Sequence, residues 1–268
     1  MLGKLMKYEF KASGRVLLPI YAAVAVTAIL SGIAAKVVDY SFADIGFLRL
    51  LAVIIMVVYG VLMVASCVVG YIIAIIRFKK NLFDSEGYLM HTLPINPETH
   101  IFSKLIVACV YEILGVVIAL LSLLLVALPG VAFVNFDIAD MLYQLKQIFA
   151  MYGDAIVLYT VEGIILGFVG LLFSNLIIYA AISIGHSTNA HKVRNSFGAY
   201  IALYIAVQII NSAGLVSTPL RLLMDNANSG GIYGASPFMI VLTLVNLAYA
   251  AVFFFITRYF MKNKLNLQ

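Results

Sequence analysis

The chain has 268 residues, of which 64% are hydrophobic and only 11% are charged, and its formal net charge is +5. Soluble domains carry about 25% charged residues, so this composition excludes an ordinary soluble enzyme or binding domain. The small excess of positive charge gives little support to nucleic-acid binding.

Six apolar runs follow one another along the chain. Each is long enough to cross a hydrocarbon core of about 30 Å, which needs roughly 20 residues of α-helix. The sequence therefore predicts an all-α, polytopic membrane protein with a single transmembrane domain over residues 1–268. The predicted spans are residues 16–38, 47–76, 105–128, 155–184, 197–216 and 238–257.

Positive charges are concentrated in alternate joints between the runs, and the intervening joints carry more carboxylates than basic residues. The positive-inside rule then places both the N-terminus and the C-terminus in the cytoplasm. The basic segments contain Lys4, Lys7, Lys11 and Arg15, then Arg77, Lys79, Lys80 and Lys104, then Lys192 and Arg194, and finally Arg258, Lys262 and Lys264.

The N-terminal segment, residues 1–14, places Lys4, Lys7 and Lys11 on one stripe at helical spacing, with apolar residues largely opposite. This pattern predicts an amphipathic interfacial helix that binds the anionic inner leaflet. Glu9 projects among the apolar positions. It is therefore a candidate contact for a cytoplasmic partner, although the helix can also serve only as a surface anchor.

The joint at residues 81–100 is the longest of the basic joints and mixes apolar residues with charges, which a merely solvated loop does not need. Asp84 or Ser85 can cap a short helix that runs through Thr92, because the residue before Pro94 disfavours helix. We therefore expect a short cytoplasmic helix, of the kind that contacts another protein.

The cytoplasmic segments contain several distinctive patterns. They are Lys-Tyr-Glu-Phe-Lys at residues 7–11, Glu-Gly-Tyr-Leu at 86–89, Thr-Leu-Pro at 92–94 and Ser-Lys-Leu at 103–105. Together with the six predicted spans, these patterns resemble type-2 ATP-binding-cassette (ABC) exporter permeases of Gram-positive bacteria. The resemblance covers essentially the whole chain.

In that family the joint between the second and third helices is a coupling helix, seated in a groove of a separate ATPase. The resemblance implies a cytoplasmic ABC ATPase as partner, a second permease copy (identical or related), and a multi-pass location in the bacterial cytoplasmic membrane. Each residue implied at the contact can instead only cap, turn or pack the short helix. These residues are Asp84, Glu86, Gly87, Tyr88, Leu89 and Thr92, with Glu9 nearby.

The sequence has no Gly-x-x-x-x-Gly-Lys-Ser/Thr phosphate loop, and none of its cytoplasmic joints is long enough for a nucleotide-binding domain. We therefore expect the chain not to be an enzyme by itself and to hold no cofactor, with ATP and Mg²⁺ bound by the partner ATPase. Cys67 and Cys109 both fall in apolar runs and lack the spacing of a metal site.

Two carboxyl groups, Glu112 and Glu162, fall inside apolar runs, where a charge costs about 2.5–3.5 kcal/mol on insertion scales. They are expected at different depths, which argues against a carboxylate pair. Each is a candidate for the translocation path or a hydrogen-bonded structural residue. Asn175 is a weaker path candidate. Gly163, Gly167 and Gly170 nearly share one helix face and predict close helix packing, within the subunit or across a dimer.

Two joints on the external side are also patterned. Residues 136–152 show apolar positions at helical spacing and predict an amphipathic helix on the outer interface. Residues 217–236 are long for a connector, and the resemblance implies short re-entrant helices there that close an external gate.

The expected function is export of a hydrophobic or amphipathic substrate, such as an antimicrobial peptide, a drug or a lipid-like molecule, because few fixed charges interrupt the apolar runs. The main alternative is a membrane sensor or assembly scaffold without transport activity. A third possibility is an ion-coupled transporter that uses Glu112 or Glu162, but the sequence has no clear two-half repeat to support it.

Overall fold

The computed structural model describes residues 2–39, 46–83, 96–131, 138–188, 191–213, 217–229 and 233–263. Within these ranges the chain is helical and contains no strand. The helices are α1 (Leu2–Asp39), α2 (Gly46–Phe83), α3 (Pro97–Val131), α4 (Ile138–Gly185), α5 (Lys192–Ser212), α6 (Ser217–Ser229) and α7 (Ser236–Asn263).

Six of these helices are long and apolar enough to cross a membrane, and α6 is the exception. The candidate spans confirm the six predicted ones in number and order. They indicate a multi-pass membrane protein. Large apolar side chains on their outer faces are exposed, among them Val64, Leu124 and Ile164, as expected where hydrocarbon rather than water surrounds the protein.

The membrane helices are longer than the sequence predicted. α1 is continuous from Leu2, so residues 2–14 form its first turns, and their place at the membrane interface stays a prediction. α4 likewise runs unbroken from Ile138 through the predicted external helix. Gly14 and Gly153 are weak helix breakers, because a glycine inside a helix costs only about 1 kcal/mol. The amphipathic segments therefore extend the spans that follow them.

The helix α2 has 38 residues and is about 57 Å long at 1.5 Å per residue, well beyond a hydrocarbon core of about 30 Å. α2 includes the first residues of the predicted coupling joint, 81–83, and α3 includes its last residues, from Pro97 onward. Proline suits the first turn of a helix, where its missing N–H group leaves no hydrogen bond unmade.

The chain divides into two compact units. Unit 1 comprises Met1–Ala74 and Ile106–Ala139, and therefore contains α1, most of α2 and most of α3. Its core contains Leu17, Tyr21, Val107 and Tyr111. The hydroxyl of Tyr21 donates to the carbonyl of Tyr111 at 2.9 Å, and the hydroxyl of Tyr111 donates to the carbonyl of Phe10 at 2.7 Å. These bonds tie α1 to α3.

Unit 2 comprises Ile75–Leu105 and Asp140–Gln268. It contains the end of α2, the start of α3 and nearly all of the chain from α4 onward. Phe78, Leu82, Ile101, Tyr179 and Ala180 are among its fully buried side chains. The candidate coupling joint therefore starts and ends in unit 2.

Candidate functional site

The six residues implied at the ATPase contact between positions 84 and 92 lie outside the described residues, whereas both flanks of that segment are described. On the α2 side, the ring of Phe78 stacks on that of Tyr179 in α4, with centroids 3.7 Å apart and planes 3° apart. Phe83, the last residue of α2, lies with its ring centroid 5.0 Å from that of His186. The helix that enters the segment is therefore anchored on α4.

The α3 side of the segment is held against α7. A guanidinium nitrogen of Arg258 lies 2.6 Å from a carboxylate oxygen of Glu98, and the rings of Phe102 and Phe254 have centroids 5.0 Å apart. The ion pair is partly exposed. Because exposed pairs contribute at most about 1 kcal/mol to stability, its main effect is to hold the start of α3 beside α7.

The turn between α4 and α5 completes this end of unit 2. Gly185 allows Ser196 to approach so closely that a Cβ atom at position 185 would overlap the backbone of Ser196. The side-chain amide of Asn195 donates to the Thr188 hydroxyl at 2.7 Å. His191 adopts a left-handed backbone conformation, with φ of 53°, which is uncommon for a residue other than glycine. The turn is therefore tightly packed.

These contacts bring three of the predicted basic segments to one end of unit 2. The end of α2, the start of α3, the turn after α4 and the end of α7 meet there through the aromatic contacts and the ion pair described above. The sequence assigned all of them to one side of the membrane. Their position in the cytoplasm stays a prediction.

Glu9 was the N-terminal candidate for the partner contact. Glu9 is only 7% exposed, and Ser13 and Leu17, which follow on the same face of α1, are also buried. Glu9 therefore offers little surface to a partner in this conformation. Its part in a contact stays a prediction.

The two membrane carboxyl groups belong to different units, with Glu112 in unit 1 and Glu162 in unit 2. Glu112 is half-buried on α3 and lies near enough to Tyr21 to interact with it electrostatically.

Glu162 lies beside the start of α7. Its Oε1 atom accepts a hydrogen bond from the hydroxyl of Ser236, while its Oε2 atom is buried and has no hydrogen-bond partner among the described residues. Next to it is a cavity of about 180 Å³. The residues that line it are Glu162 and Ile165 of α4 and Ile240, Thr243 and Leu244 of α7.

The sequence identified Glu162 but missed Ser236 and Thr243. Both are polar and lie seven residues apart, Ser236 just before the last apolar run and Thr243 within it, which places them on one face of a helix. That spacing was the available signal. It is weak, because Ser and Thr in membrane helices commonly bond to their own backbone.

Asn175, the third candidate for the path, is 1% exposed. Its side-chain amide donates to the carbonyl of Leu171 at 3.0 Å, one turn earlier on α4. Asn175 is therefore part of the packed interior of unit 2 and does not line the cavity beside Glu162.

The glycine face of α4 is open in the described structure. A Cβ atom at Gly163, Gly167 or Gly170 would meet no neighbouring atom within 4 Å among the described residues. The described residues therefore show no close packing on this face. Packing across a dimer stays a prediction.

The joint at residues 217–236, which the sequence predicts to be external, contains α6, which contacts α7. Leu220 and Leu223 are half-buried, whereas Leu222 and Met224 are exposed. A short helix is thus present where the resemblance implied one, and its role in a gate stays a prediction.

No protein-family model matches this sequence, and comparisons with curated proteins and with solved structures likewise found no match. Any assignment of function to this chain therefore depends on its sequence patterns and on the fold and contacts described above.

Proposed function

We propose that the chain is the membrane-spanning permease subunit of an ABC transporter, which exports a hydrophobic or amphipathic substrate. A separate cytoplasmic ATPase binds ATP and Mg²⁺ and supplies the energy, and a second permease copy completes the path in the bacterial cytoplasmic membrane. The six apolar helices and the distinctive patterns in the basic segments support this proposal.

The observation that carries the proposal is the anchoring of both flanks of residues 84–95. Phe78 and Phe83 hold the α2 flank on α4, and Glu98 holds the α3 flank on Arg258 of α7. A partner that moves the segment would therefore pull on four membrane helices together. A loop that only connects two helices has no need for such contacts on both sides.

The proposed cycle uses this mechanical connection. ATP binding brings the two ATPases together, the segment at residues 84–95 moves with them, and the ends of α2 and α3 follow. Because α4 and α7 are packed against those ends, the movement reaches helices that the ATPase does not contact. Conversion of a local contact into a change of packed helices is a general route of switching in proteins.

The test is co-purification in detergent with candidate ATPases from the same genome, followed by measurement of ATP hydrolysis. The variant Glu86→Arg/Leu89→Asp should release the ATPase and remove the stimulation of hydrolysis. The matched control is Leu222→Asp/Asp225→Arg on α6. It also replaces an acidic residue by Arg and a Leu by Asp three residues apart, in the reverse order, in a segment expected on the external side. It should leave the complex intact.

Retention of the ATPase by Glu86→Arg/Leu89→Asp would contradict the assignment of the contact to this segment. If no ATPase binds the wild-type chain, the transporter proposal fails. The sensor or scaffold alternative then takes its place. Size-exclusion chromatography of each variant checks that a lost contact does not come from misfolding.

A further inference from the structure

The first turns of α4 expose large apolar side chains. Leu142, Phe149 and Tyr152 are 57%, 55% and 46% exposed. Lys146 and Asp154 on the same turns are also exposed, and an exposed charged side chain is too costly in hydrocarbon to lie there. The hydrocarbon region therefore begins after Asp154. The three apolar side chains precede it, where water would surround them.

These three side chains lie on one face of α4, because separations of three and seven residues bring side chains to the same side of a helix. The face continues into the membrane, since Gly163 is 11 residues beyond Tyr152, which is about three helical turns. The whole face is the α4 seam. It comprises Leu142, Phe149, Tyr152, Gly163, Gly167 and Gly170.

The side-chain sizes along the α4 seam are the reverse of those that suit a bilayer. Large apolar side chains suit hydrocarbon, yet the seam has glycines there, and a Cβ atom at any of the three would meet nothing within 4 Å among the described residues. Polar side chains suit water, yet the seam exposes Leu142 and Phe149 there. A face that suits neither lipid nor water is typical of a surface that another protein covers.

The side of α4 opposite the seam contains residues that match their surroundings. Gln147 and Asp154, which precede the hydrocarbon region, are polar and exposed. Val161 and Phe168, on that same side within the apolar run, are large, apolar and exposed. The reversed pattern is therefore a property of one face and not of the helix as a whole.

We propose that the α4 seam is the surface through which two copies of this chain associate, with their α4 helices parallel and side by side. Two copies enter the membrane in the same orientation, so a two-fold axis along the membrane normal brings the same residues of both to the same depth. A second copy therefore supplies small residues opposite Gly163 and apolar residues opposite Phe149. The inference rests on the proposed function only for the presence of a second permease copy.

Both parts of the seam gain from this pairing. Glycines let two helix backbones approach closely within the membrane, where packing and not the hydrophobic effect drives association. Outside it, Leu142 and Phe149 are removed from water, which is favourable for apolar surface. The seam extends over 28 residues from Leu142 to Gly170, about 42 Å at 1.5 Å per residue. The contact is therefore long enough to cross the hydrocarbon core of about 30 Å and continue beyond it.

The first test is disulfide cross-linking of the full-length protein in native membranes with copper phenanthroline, in a background free of the two native cysteines. Phe149→Cys and Gly163→Cys on the seam should each form a disulfide-linked dimer, because a disulfide needs Cα atoms within about 7 Å of each other. The matched controls are Gln147→Cys and Val161→Cys, each two residues earlier on the opposite side of α4. They should stay monomeric on a non-reducing gel.

Charge complementation tests the same pairing without cysteines. Phe149→Glu and Phe149→Lys should each weaken dimerisation about tenfold or more, because the two-fold axis sets like charges opposite each other. Co-expression of these two variants should restore a mixed dimer, in which the charges are opposite. Gln147→Glu and Gln147→Lys are the controls and should leave the dimer unchanged. Pull-down between two differently tagged copies measures each dimer, and thermal unfolding verifies that each variant is folded.

The outcomes separate this inference from the proposed function. Equal cross-linking at the seam and control positions would overturn the inference, since it reports random collision. If light scattering shows a dimer but neither seam cysteine cross-links, the second copy binds elsewhere, so the inference fails and the proposed function stands. If the complex with the ATPase contains one permease copy, the inference and the second copy in the proposed function both fail. A cross-linked product whose mass is not twice that of the chain would show that another protein covers the seam.

Discussion

Phe78 near the end of α2 stacks face to face on Tyr179 of α4, with ring centroids 3.7 Å apart and ring planes within 3° of parallel. Both rings are fully buried. Because α2 leads directly into the candidate coupling segment, this stack fixes where that segment begins. Substitution of Phe78 therefore tests the packing of α2 against α4 without changing the candidate contact residues themselves.

Replacement of Phe78 by alanine should lower the free energy of unfolding by about 3–5 kcal/mol, because it leaves a cavity beside Tyr179. The control is Ile76→Ala on the same helix. Ile76 is 53% exposed, so its truncation should cost less than about 1 kcal/mol. Reversible unfolding in mixed micelles measures both. Equal effects of the two substitutions would contradict the packing described here.

Gly185 should not tolerate a side chain, because a Cβ atom there would overlap the backbone of Ser196. We expect Gly185→Ala to cost about 1–3 kcal/mol or more, as overpacking of a tight contact does. Gly198→Ala serves as the control, since a Cβ atom there meets nothing within 4 Å among the described residues. That change should be neutral or slightly stabilising in a helix. Thermal unfolding of the two variants compares them, and a neutral Gly185→Ala would refute the contact.

Gly14 and Tyr111 are predicted to be coupled. A Cβ atom at Gly14 would lie 2.5 Å from the hydroxyl oxygen of Tyr111, and that hydroxyl is held by its bond to the carbonyl of Phe10. Gly14→Ala should therefore destabilise the protein by about 1–3 kcal/mol. In a Tyr111→Phe background the oxygen is absent, so the same substitution should cost less than half as much.

A double-mutant cycle at positions 14 and 111 measures this coupling. Tyr111→Phe alone should cost about 1 kcal/mol for the lost hydrogen bond. Gly3→Ala, where a Cβ atom meets nothing within 4 Å in the described structure, is the control and should behave identically in both backgrounds. Strict additivity of Gly14→Ala and Tyr111→Phe would rule out the close approach.

The predicted topology places the end of α7 in the cytoplasm and the start of α4 outside. Met151 is 74% exposed, and Asn263 is also exposed. In a background with Cys67→Ala and Cys109→Ala, we expect a membrane-impermeant maleimide to label Met151→Cys in intact cells. Asn263→Cys should be labelled only after lysis. The reverse pattern would invert the topology and exclude the candidate coupling segment from contact with a cytoplasmic ATPase.

The number of membrane helices could be predicted from the sequence because hydropathy over roughly 20 residues reports directly on the bilayer. The residues at which these helices begin and end could not be predicted in the same way. Residues 2–14 and 138–152 have a helical apolar pattern of their own, and the sequence gives no strong breaker between these segments and the spans that follow. The local pattern therefore suggested separate elements, whereas continuous hydrogen bonding makes them extensions of α1 and α4.

The candidate sites were partly predictable for a similar reason. Glu162 is conspicuous because a carboxyl group in an apolar run is costly wherever it points. Its hydrogen-bond partner Ser236 and Thr243, which lines the same cavity, are not conspicuous. They lie more than 70 residues away, and Ser and Thr are ordinary in membrane helices. The stack of Phe78 on Tyr179 could not be predicted from the sequence either. Contacts between distant helices depend on packing that periodicity does not encode.

The 48 residues of α4 form one unbroken helix, about 72 Å long at 1.5 Å per residue. A helix without a proline or bulge has no place to fold back on itself, so it behaves as a stiff rod. Phe78 stacks on Tyr179 near one end of this helix. Glu162, which lines the cavity, lies near its middle. A rotation imposed on α4 at Tyr179 is therefore carried along the same helix to Glu162, 17 residues away.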